Sequence, residues 1–404
     1  LRVRGPRSRR VAPLRLASLG AVVVLLGAGL FLLLHRVRPS TLGNDPADGA
    51  PVAHMTGFSD EVELGDVAEL LSSDEVVFRV ALDGDPGDGP LYFRGLALDR
   101  FDGTRWSSAA TVRSEERPGA LLPGPREPGT VRLDITQEPM PDGVLFSLGQ
   151  VRDLAVHPPG ARVDDDGNWR LLGPPRRIRY TVDAAPFRDQ VLAPRDRRRL
   201  TALPITLPAI YKQVAVDVVG DAVTDIDRVQ RLRDFLRREF RYTRRPADGE
   251  WDHSLYSFLV DRRPGHCEYF ASALAVLLRE VDVPTRLVNG FLDGEENPVG
   301  DYRIVRQSDA HAWVEVWLEG AGWVTVDATP PLGPEAPVAG TFGMVADTLD
   351  MAWYRGVLDY DVAVQIDVVR TASWGVQGAL TGRGPSERGG VPWLGVGVLA
   401  GLVL

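Results

Sequence analysis

An α+β fold built on antiparallel strands is predicted by three observations. Alternating, β-rich runs fill the first half between Gly/Pro/Asp turn clusters, two later stretches place apolar residues at helical spacing, and a further group of strands follows. Of the 404 residues, 44% are hydrophobic and 25% are charged, which is typical of a folded protein. Apolar segments near both ends add flanking transmembrane helices to the prediction.

The first apolar segment, residues 16–34, carries no charge and has close to the ~20 residues that cross a bilayer. Arginines crowd residues 1–15, so the positive-inside rule predicts a basic cytoplasmic N-terminus followed by a transmembrane helix. A cleaved signal peptide is the competing interpretation, but its apolar region is usually shorter and no A-x-A-like cleavage site follows here. The polar residues 35–55 are predicted to form a linker.

The last apolar segment, residues 391–404, is too short to span a membrane. The chain also begins with Leu and not with Met. We therefore expect a piece of a longer membrane protein, with a truncated second transmembrane helix beginning at this end.

Charge and cysteine content exclude several classes of function. The chain has 46 Lys and Arg against 55 Asp and Glu, a net charge of −9, and its first 40 residues contain arginines but no acidic residue. The remainder is thus more acidic than the total indicates and repels phosphate backbones, so no nucleic-acid partner is expected. A single cysteine rules out an intrachain disulfide and a four-cysteine zinc site.

Residues 56–190 are predicted to form a β-rich extracytoplasmic domain. Strand-like runs recur there between turn clusters, at residues 75–84, 91–101, 130–139 and 178–184. This spacing suggests a β-sandwich of roughly 130 residues.

Two helices are predicted downstream. Apolar residues between 225 and 240 follow helical spacing, and a second such stretch opens at Pro264 and Gly265. Cys267 is therefore expected at a helix N-terminus, where unpaired N–H groups and the helix dipole stabilise a thiolate and an oxyanion. A solitary cysteine is also often a small buried hydrophobe, and this alternative stays open at this point.

A group of strands follows, at residues 285–291, 302–306, 311–318 and 323–329. The Gly-rich turn at residues 319–322 joins the last two strands and predicts an antiparallel hairpin. His311 and Asp327 share a face of this hairpin if the pairing sum is even, for example with residue 313 opposite residue 327, which makes them diagonal neighbours. The pattern alone leaves the register open.

Cys267, His311 and Asp327 are the candidate catalytic residues. A nucleophilic thiol, an imidazole that takes its proton and a carboxylate that orients the imidazole are what acyl transfer through a thioester requires. A zinc site formed by these residues and His266 is the alternative, but a cysteine at a helix start suits catalysis better. We expect neither a metal nor a cofactor.

The neighbouring residues have simpler interpretations. His266 is predicted to be a surface or turn residue, and Glu268 to favour the first helical turn. Tyr242 and Trp251 are the guesses for a second oxyanion donor. Three tryptophans are expected to pack on the sheet: Trp313, Trp317 and Trp323.

The motifs GHCEYFASALAVLLR, RQSDAHAWVEVW and GWVTVDATPP strongly resemble the transglutaminase-like core of the papain-related cysteine enzymes. The likeness is greatest to bacterial membrane-anchored transglutaminase-like proteins, since residues 57–67 and 91–107 resemble the stretch that precedes the core there. The resemblance covers most of residues 55–375. The catalytic core is then expected at residues 200–335, followed by a helical extension and linker at residues 336–385.

Carried over by motif, the resemblance implies that Cys267 is the nucleophile, His311 the base and Asp327 the orienting carboxylate. It also implies an extracytoplasmic domain between transmembrane segments and a further domain after the last one. This sequence has one N-terminal span where the family usually has several, and it lacks the C-terminal part. Both departures fit a fragment.

The expected function is that of a membrane-anchored, extracytoplasmic transglutaminase-like cysteine enzyme. It would transfer an acyl group from a carboxamide through a thioester, with the membrane and a protein or peptide amide of the cell envelope as its partners. A cysteine protease or amidase with the same three residues is one alternative. A non-catalytic envelope scaffold is the other.

Overall fold

The computed structural model describes the chain in the following ranges: residues 61–65, 67–116, 129–157, 160–187, 191–244, 254–331 and 341–354. The predicted transmembrane segments at residues 16–34 and 391–404 lie outside these ranges, as does the linker at 35–55. Within the described ranges no helix has both the length and the apolar character needed to cross a membrane.

The strands of the described part are, in chain order, β1 Glu61–Glu63, β2 Val76–Asp83, β3 Tyr92–Leu98, β4 Arg100–Phe101, β5 Arg105–Ser107, β6 Val112–Glu116, β7 Val131–Gln137, β8 Ser147–Leu148, β9 Gln150–His157, β10 Ala161–Asp164, β11 Trp169–Leu171, β12 Ile178–Ala185, β13 Thr285–Leu292, β14 Glu295–Asn297, β15 Tyr302–Arg306, β16 Ala310–Leu318 and β17 Gly322–Val326. Its α-helices are α1 Val67–Leu70, α2 Pro194–Leu200, α3 Ala209–Val219, α4 Asp225–Glu239, α5 Leu255–Leu259, α6 Cys267–Glu280 and α7 Thr341–Trp353. Both kinds of element are therefore present in quantity, as an α+β fold requires.

Two large antiparallel sheets organise the molecule. The six-stranded sheet has the order β14-β15-β2-β7-β12-β9, and the five-stranded sheet has the order β17-β16-β13-β3-β8. Two smaller sheets, β1-β5-β4 and β11-β10-β6, accompany them.

The strands of the two predicted domains, 56–190 and 200–335, are interleaved. β2 pairs with β15, and β3 pairs with β13, so both large sheets contain strands from both stretches. The expectation of a self-contained β-sandwich within residues 56–190 is corrected accordingly. Alternating apolar runs mark each strand, but the choice of partner depends on packing between residues far apart in sequence.

An aromatic cluster joins the two large sheets. Phe78 of β2 lies against three other rings, those of Phe93 of β3, Phe291 of β13 and Phe146, which directly precedes β8. The ring centroids are 5.1 to 5.7 Å from that of Phe78. All four side chains are fully buried. Since aromatic rings bury large apolar areas, this cluster makes the two sheets one core.

Helix α6 packs against β16 and β13, and α3, α4 and α5 pack around it. Its buried residues run almost the whole length of the helix, from Cys267 to Arg279. The hydrophobic helical spacing predicted for residues 225–240 is confirmed by α4, whose N-terminus is capped by Thr224 accepting from the N–H of Asp227. Together these helices form a layer on the five-stranded sheet.

The two faces of β16 differ in chemistry. Ala312, Val314 and Val316 belong to the main hydrophobic core. The other face carries His311 and, further along, Glu315, a buried carboxylate that accepts from the guanidinium groups of two arginines, Arg94 and Arg286. The predicted alternation along this strand is thereby confirmed.

The predicted hairpin is confirmed, and the structure supplies the register that the sequence pattern left open. β16 and β17 pair with Val314 opposite Val326 and Trp317 opposite Trp323. These pairs have the same sum as residue 313 opposite residue 327. Gly320 and Gly322 adopt positive φ angles of 80° and 78°, which favour glycine, so the turn residues suit the connection.

Candidate active site

The helix that carries Cys267 begins where the sequence predicts. His266 occupies the N-cap position and Cys267 is the first helical residue. A Cβ on Gly265 would lie 2.8 Å from Tyr269 and 2.9 Å from Phe258, so only glycine fits immediately before the cap. The Cys267 side chain is buried, and its backbone N–H belongs to the helix terminus, where no intrahelical acceptor exists.

His311 lies near the start of β16, opposite Gly290 of β13. A Cβ on Gly290 would lie 2.1 Å from the carbonyl oxygen of Phe93, so the close approach of β3 to β13 at this point requires glycine. The Cys267 side chain lies close enough to the His311 imidazole to act on its pKa. The His311 Nε2 lies 2.8 Å from Oδ2 of Asp327, which leaves Nδ1 as the ring nitrogen available to the thiol.

Asp327 follows directly after β17 and is held from several sides. The N–H of Thr329 donates to its Oδ1 at 2.8 Å. Arg237 of α4 donates to its backbone carbonyl at 2.7 Å. These contacts fix both the carboxylate and the chain segment that carries it.

The electrostatics of the pair favour an imidazolium beside a carboxylate. Burial acts to lower the pKa of His311, but the Asp327 carboxylate and, to a lesser extent, the nearby Cys267 outweigh it and raise this pKa to about 10. Burial acts to raise the pKa of Asp327, whereas His311 and Thr329 lower it, and the net shift is downward. The structure thus brings the three sequence-predicted site residues together.

Tyr92 of β3 is a neighbour of the site that the sequence analysis did not identify. Its hydroxyl donates to Oδ2 of Asp327 at 3.1 Å. Its ring lies 5.1 Å from the Trp313 ring and 6.3 Å from the His311 ring. The tyrosine is 235 residues from Asp327 in sequence, and no local pattern signals a contact over that separation.

One interpretation of the residues around the thiol needs correction, and another needs an addition. His266 is fully buried and packs edge-on against Tyr269, so the prediction of a surface residue was wrong. Glu268 is also buried, and its Oε2 accepts from the N–H groups of Gly65 and Val67. Beyond its place in the first helical turn, Glu268 ties the N-terminal segment to the helix that bears the thiol.

The other neighbours are placed as follows. Tyr242 is half-buried, packs against Phe270 and lies in a β-bridge with Gly265, two residues before Cys267. Trp251, the other guess for an oxyanion donor, lies outside the described residues. Trp313 packs on the sheet as expected. The parts of the chain that the structure describes contain no group of three or more His, Cys, Asp or Glu side chains that could hold a metal ion.

The fold and the site define a class of protein: an α+β cysteine protein in which a thiol at a helix start meets a histidine–aspartate pair on an antiparallel sheet. The family model of the transglutaminase-like superfamily matches residues 212–328, and the family model of the TgpA N-terminal domain matches residues 1–188. The chain belongs to the transglutaminase-like family, and within it to bacterial proteins homologous to TgpA. Its mixed core and β-rich N-terminal part are the fold of that family.

Two sequence relatives are similar to this chain over part of their length. The chain is 34% identical over 368 residues to the protein-glutamine gamma-glutamyltransferase of Pseudomonas aeruginosa, a match that covers 87% of this chain and 53% of that protein. It is 33% identical over 138 residues to the uncharacterized protein YebA of Bacillus subtilis, covering 32% of this chain and 19% of that protein. The chain thus spans about half the length of the first relative, and its match covers a smaller share of the second.

The crystal structure of the periplasmic domain of TgpA from Pseudomonas aeruginosa is similar to this chain, with 32% identity and a TM-score of 0.57. The match covers 68% of this chain and 94% of that one. The same periplasmic domain bound to ethylmercury is similar at 33% identity with the same TM-score, covering 68% of this chain and 96% of that one.

Proposed function

We propose that this chain is the extracytoplasmic catalytic part of a membrane-anchored bacterial enzyme that transfers an acyl group from a carboxamide. In this proposal Cys267 is the nucleophile, His311 the acid and base, and Asp327 the carboxylate that orients the imidazole. The observation that carries it is the His311–Asp327 pair, with Nε2 and Oδ2 2.8 Å apart, close to the thiol at the start of α6.

The reaction follows from these groups. The Cys267 thiolate attacks the carboxamide carbon, the carbon–nitrogen bond breaks, and the His311 imidazolium gives its proton to the departing ammonia. The product is a thioester on Cys267. A primary amine or water then attacks the thioester, the neutral imidazole takes its proton, and the thiolate leaves. An amine yields a new amide, and water yields a carboxylate.

The oxyanion of each tetrahedral intermediate needs donors. The N–H of Cys267 stands at the terminus of α6 without an intrahelical acceptor, and the positive end of the helix dipole adds to its effect. Backbone donors of this kind are preorganised and cost no rearrangement during the reaction.

The named relative supports the choice of reaction, because it is a protein-glutamine gamma-glutamyltransferase. A glutamine carboxamide as acyl donor and a protein amine as acceptor are therefore the substrates that we propose. The location rests on residues 16–34 as a membrane anchor, on the arginines that precede them, and on a relative whose solved part is called a periplasmic domain.

Substitution of the thiol tests this function. Cys267→Ala should abolish incorporation of a fluorescent primary amine into a glutamine-containing peptide, while the melting temperature stays close to that of the wild type because alanine tolerates a first helical position. Because the chain has one cysteine, alkylation by iodoacetamide near neutral pH reports on Cys267 alone.

The outcomes separate the candidate functions. Amine incorporation that depends on Cys267 supports a transferase. Ammonia release or peptide cleavage without amine incorporation would replace it with an amidase or a protease. An inert thiol with no turnover, or full activity in the Cys267→Ala protein, would contradict the mechanism.

A further inference from the structure

The phenol of Tyr92 makes a contact that packing alone does not require. Its ring packs on Trp313, but its hydroxyl extends past that contact and donates to Asp327 at 3.1 Å. The acceptor is Oδ2, the same oxygen that pairs with Nε2 of His311 at 2.8 Å. One carboxylate oxygen is therefore shared between the imidazole and the phenol.

The remaining oxygen of Asp327 is also occupied. Oδ1 accepts from the N–H of Thr329, which belongs to the same segment of chain and holds the carboxylate plane in place. The Asp327 carboxylate thus receives one donor from its own segment, one from β16 and one from β3. Only the donor from β3 comes from the N-terminal part of the chain.

We infer that Tyr92 is a positioning residue for the proposed reaction, acting through Asp327 by holding Oδ2 against Nε2 of His311 and by taking up part of the carboxylate charge. This inference rests on the proposed function for its effect on rate. It also assigns the N-terminal part of the chain a role in the chemistry, because β3 supplies the fourth member of the site.

The charge effect has a chemical consequence. An imidazolium paired with a carboxylate of undiminished charge holds its proton tightly, yet His311 must release that proton to the leaving ammonia. A hydrogen bond to Oδ2 weakens the attraction and eases the transfer. Burial and the nearby Asp327 charge raise the pKa of Tyr92 itself, so the phenol remains a neutral donor throughout.

The groups that face this site come from several elements. Cys267 of α6 faces His311, and Arg237 of α4 lies close enough to Tyr92 to lower its pKa in opposition to Asp327. Asp293, which follows β13, acts on the phenol in the same direction as Asp327. Cys267, Arg237 and Asp293 make no hydrogen bond to Oδ2 of Asp327 in the described part of the chain, so the effect of the Tyr92 hydroxyl can be isolated from theirs.

Tyr92→Phe removes only the hydroxyl and gives the first test. We expect kcat for amine transfer to fall by about tenfold, with KM within about twofold of the wild type. The alkaline limb of the profile of kcat against pH should move to higher pH, because the imidazolium keeps its proton longer. The matched control is Tyr302→Phe, which removes a hydroxyl that donates to the Asp347 carboxylate at 2.6 Å and belongs to β15 of the six-stranded sheet, whereas His311 and Tyr92 belong to the five-stranded sheet. The control should leave kcat and the pH profile unchanged.

A double-mutant cycle separates action through Asp327 from a general structural effect. In an Asp327→Asn background, Tyr92→Phe should change the rate of Cys267 alkylation by less than about twofold, because the charge that the hydroxyl moderates is gone. If Tyr92→Phe changed the rate of Cys267 alkylation by the same factor in the wild-type and the Asp327→Asn backgrounds, the inference would be overturned. A wild-type kcat and pH profile in Tyr92→Phe would overturn it as well.

A comparison of Cys267→Ala with Tyr92→Phe distinguishes a failure of this inference from a failure of the proposed function. If Cys267→Ala is inactive and Tyr92→Phe behaves as the wild type, the function stands and the role of Tyr92 falls. Should Tyr92→Phe fail to fold, Tyr92→Met keeps an apolar side chain on Trp313 without an O–H or N–H donor, and the same results are expected of it.

Discussion

His311 holds its proton to a higher pH than an exposed histidine, and this links the site to stability. Its pKa is raised to about 10, against an unfolded value of about 6.5. The stabilisation is fully present below the unfolded pKa and is lost as the pH rises through the folded one. Asp327 contributes in the opposite range, because its lowered pKa gives a stabilisation that is lost as the pH falls.

The alkaline loss of stability should therefore depend on His311. We expect the free energy of unfolding of His311→Gln to fall less between pH ~6.5 and pH ~10 than that of the wild type, as measured by urea unfolding across this range. Asp327→Asn should flatten the curve in the same way, since it removes the charge that raises the pKa of His311. Parallel curves for all three proteins would contradict this linkage.

At the residue scale the sequence identified the thiol, the imidazole and the carboxylate, because their motifs are local and specific. It did not identify Tyr92 or the role of Glu268. Glu268 accepts from backbone N–H groups about 200 positions away, and a hydrogen bond to a backbone N–H leaves no mark on the identity of its donor residue. Contacts of this kind depend on the completed fold.

Among the elements, α7 is attached to the six-stranded sheet by an ion pair. Arg79 of β2 donates through Nε to both carboxylate oxygens of Asp347, at 2.9 and 3.0 Å, and both side chains are largely buried. The Tyr302 hydroxyl donates to the same carboxylate, while Met351 packs beside it on β15. The residues that follow α7 lead toward the C-terminal apolar segment.

Asp347→Asn should loosen this attachment. Removing the charge leaves the buried guanidinium of Arg79 with Glu138, 2.8 Å away, as its remaining close carboxylate partner, and we expect a loss of about 2 kcal/mol in the free energy of unfolding. The matched control is Asp350→Asn, on the same helix, whose half-exposed carboxylate lies 3.4 Å from Arg177 and should contribute less than about 1 kcal/mol. Urea unfolding of both variants makes the comparison, and equal losses would show that burial of the pair is unimportant.

Helix α3 shows why some elements escape prediction. Its sequence, AIYKQVAVDVV, is rich in valine and alternates like a strand near its end. The residues it buries are Tyr211, Ala215 and Val219, spaced four apart, and they pack beside α6. Tertiary packing overrides local propensity here, whereas the hairpin of β16 and β17 combines local alternation with a short turn and could be predicted, although its register could not.

For the whole molecule, the interleaving of strands makes residues 200–335 an incomplete unit. A fragment of this range lacks β2 and β3, so β13 and β15 each lose one of their two neighbouring strands, and Phe78 and Phe93 are missing from the central cluster. We expect it to lack a cooperative urea transition, whereas a fragment of residues 55–375 should show one. Cooperative unfolding of the shorter fragment would contradict this view of the fold.

The same interleaving orders events during biosynthesis. Tyr92 is made 235 residues before Asp327, and at about 5 to 20 residues per second a ribosome needs about ten to fifty seconds to cover that interval. Until it has done so, β2 and β3 have open edges. Once Cys267 has been made, late in this interval, its thiol has no completed pair of His311 and Asp327 beside it. The nascent chain therefore contains its nucleophile before the groups that activate it are in place. The site can form only late, when the last strands pair with β2 and β3.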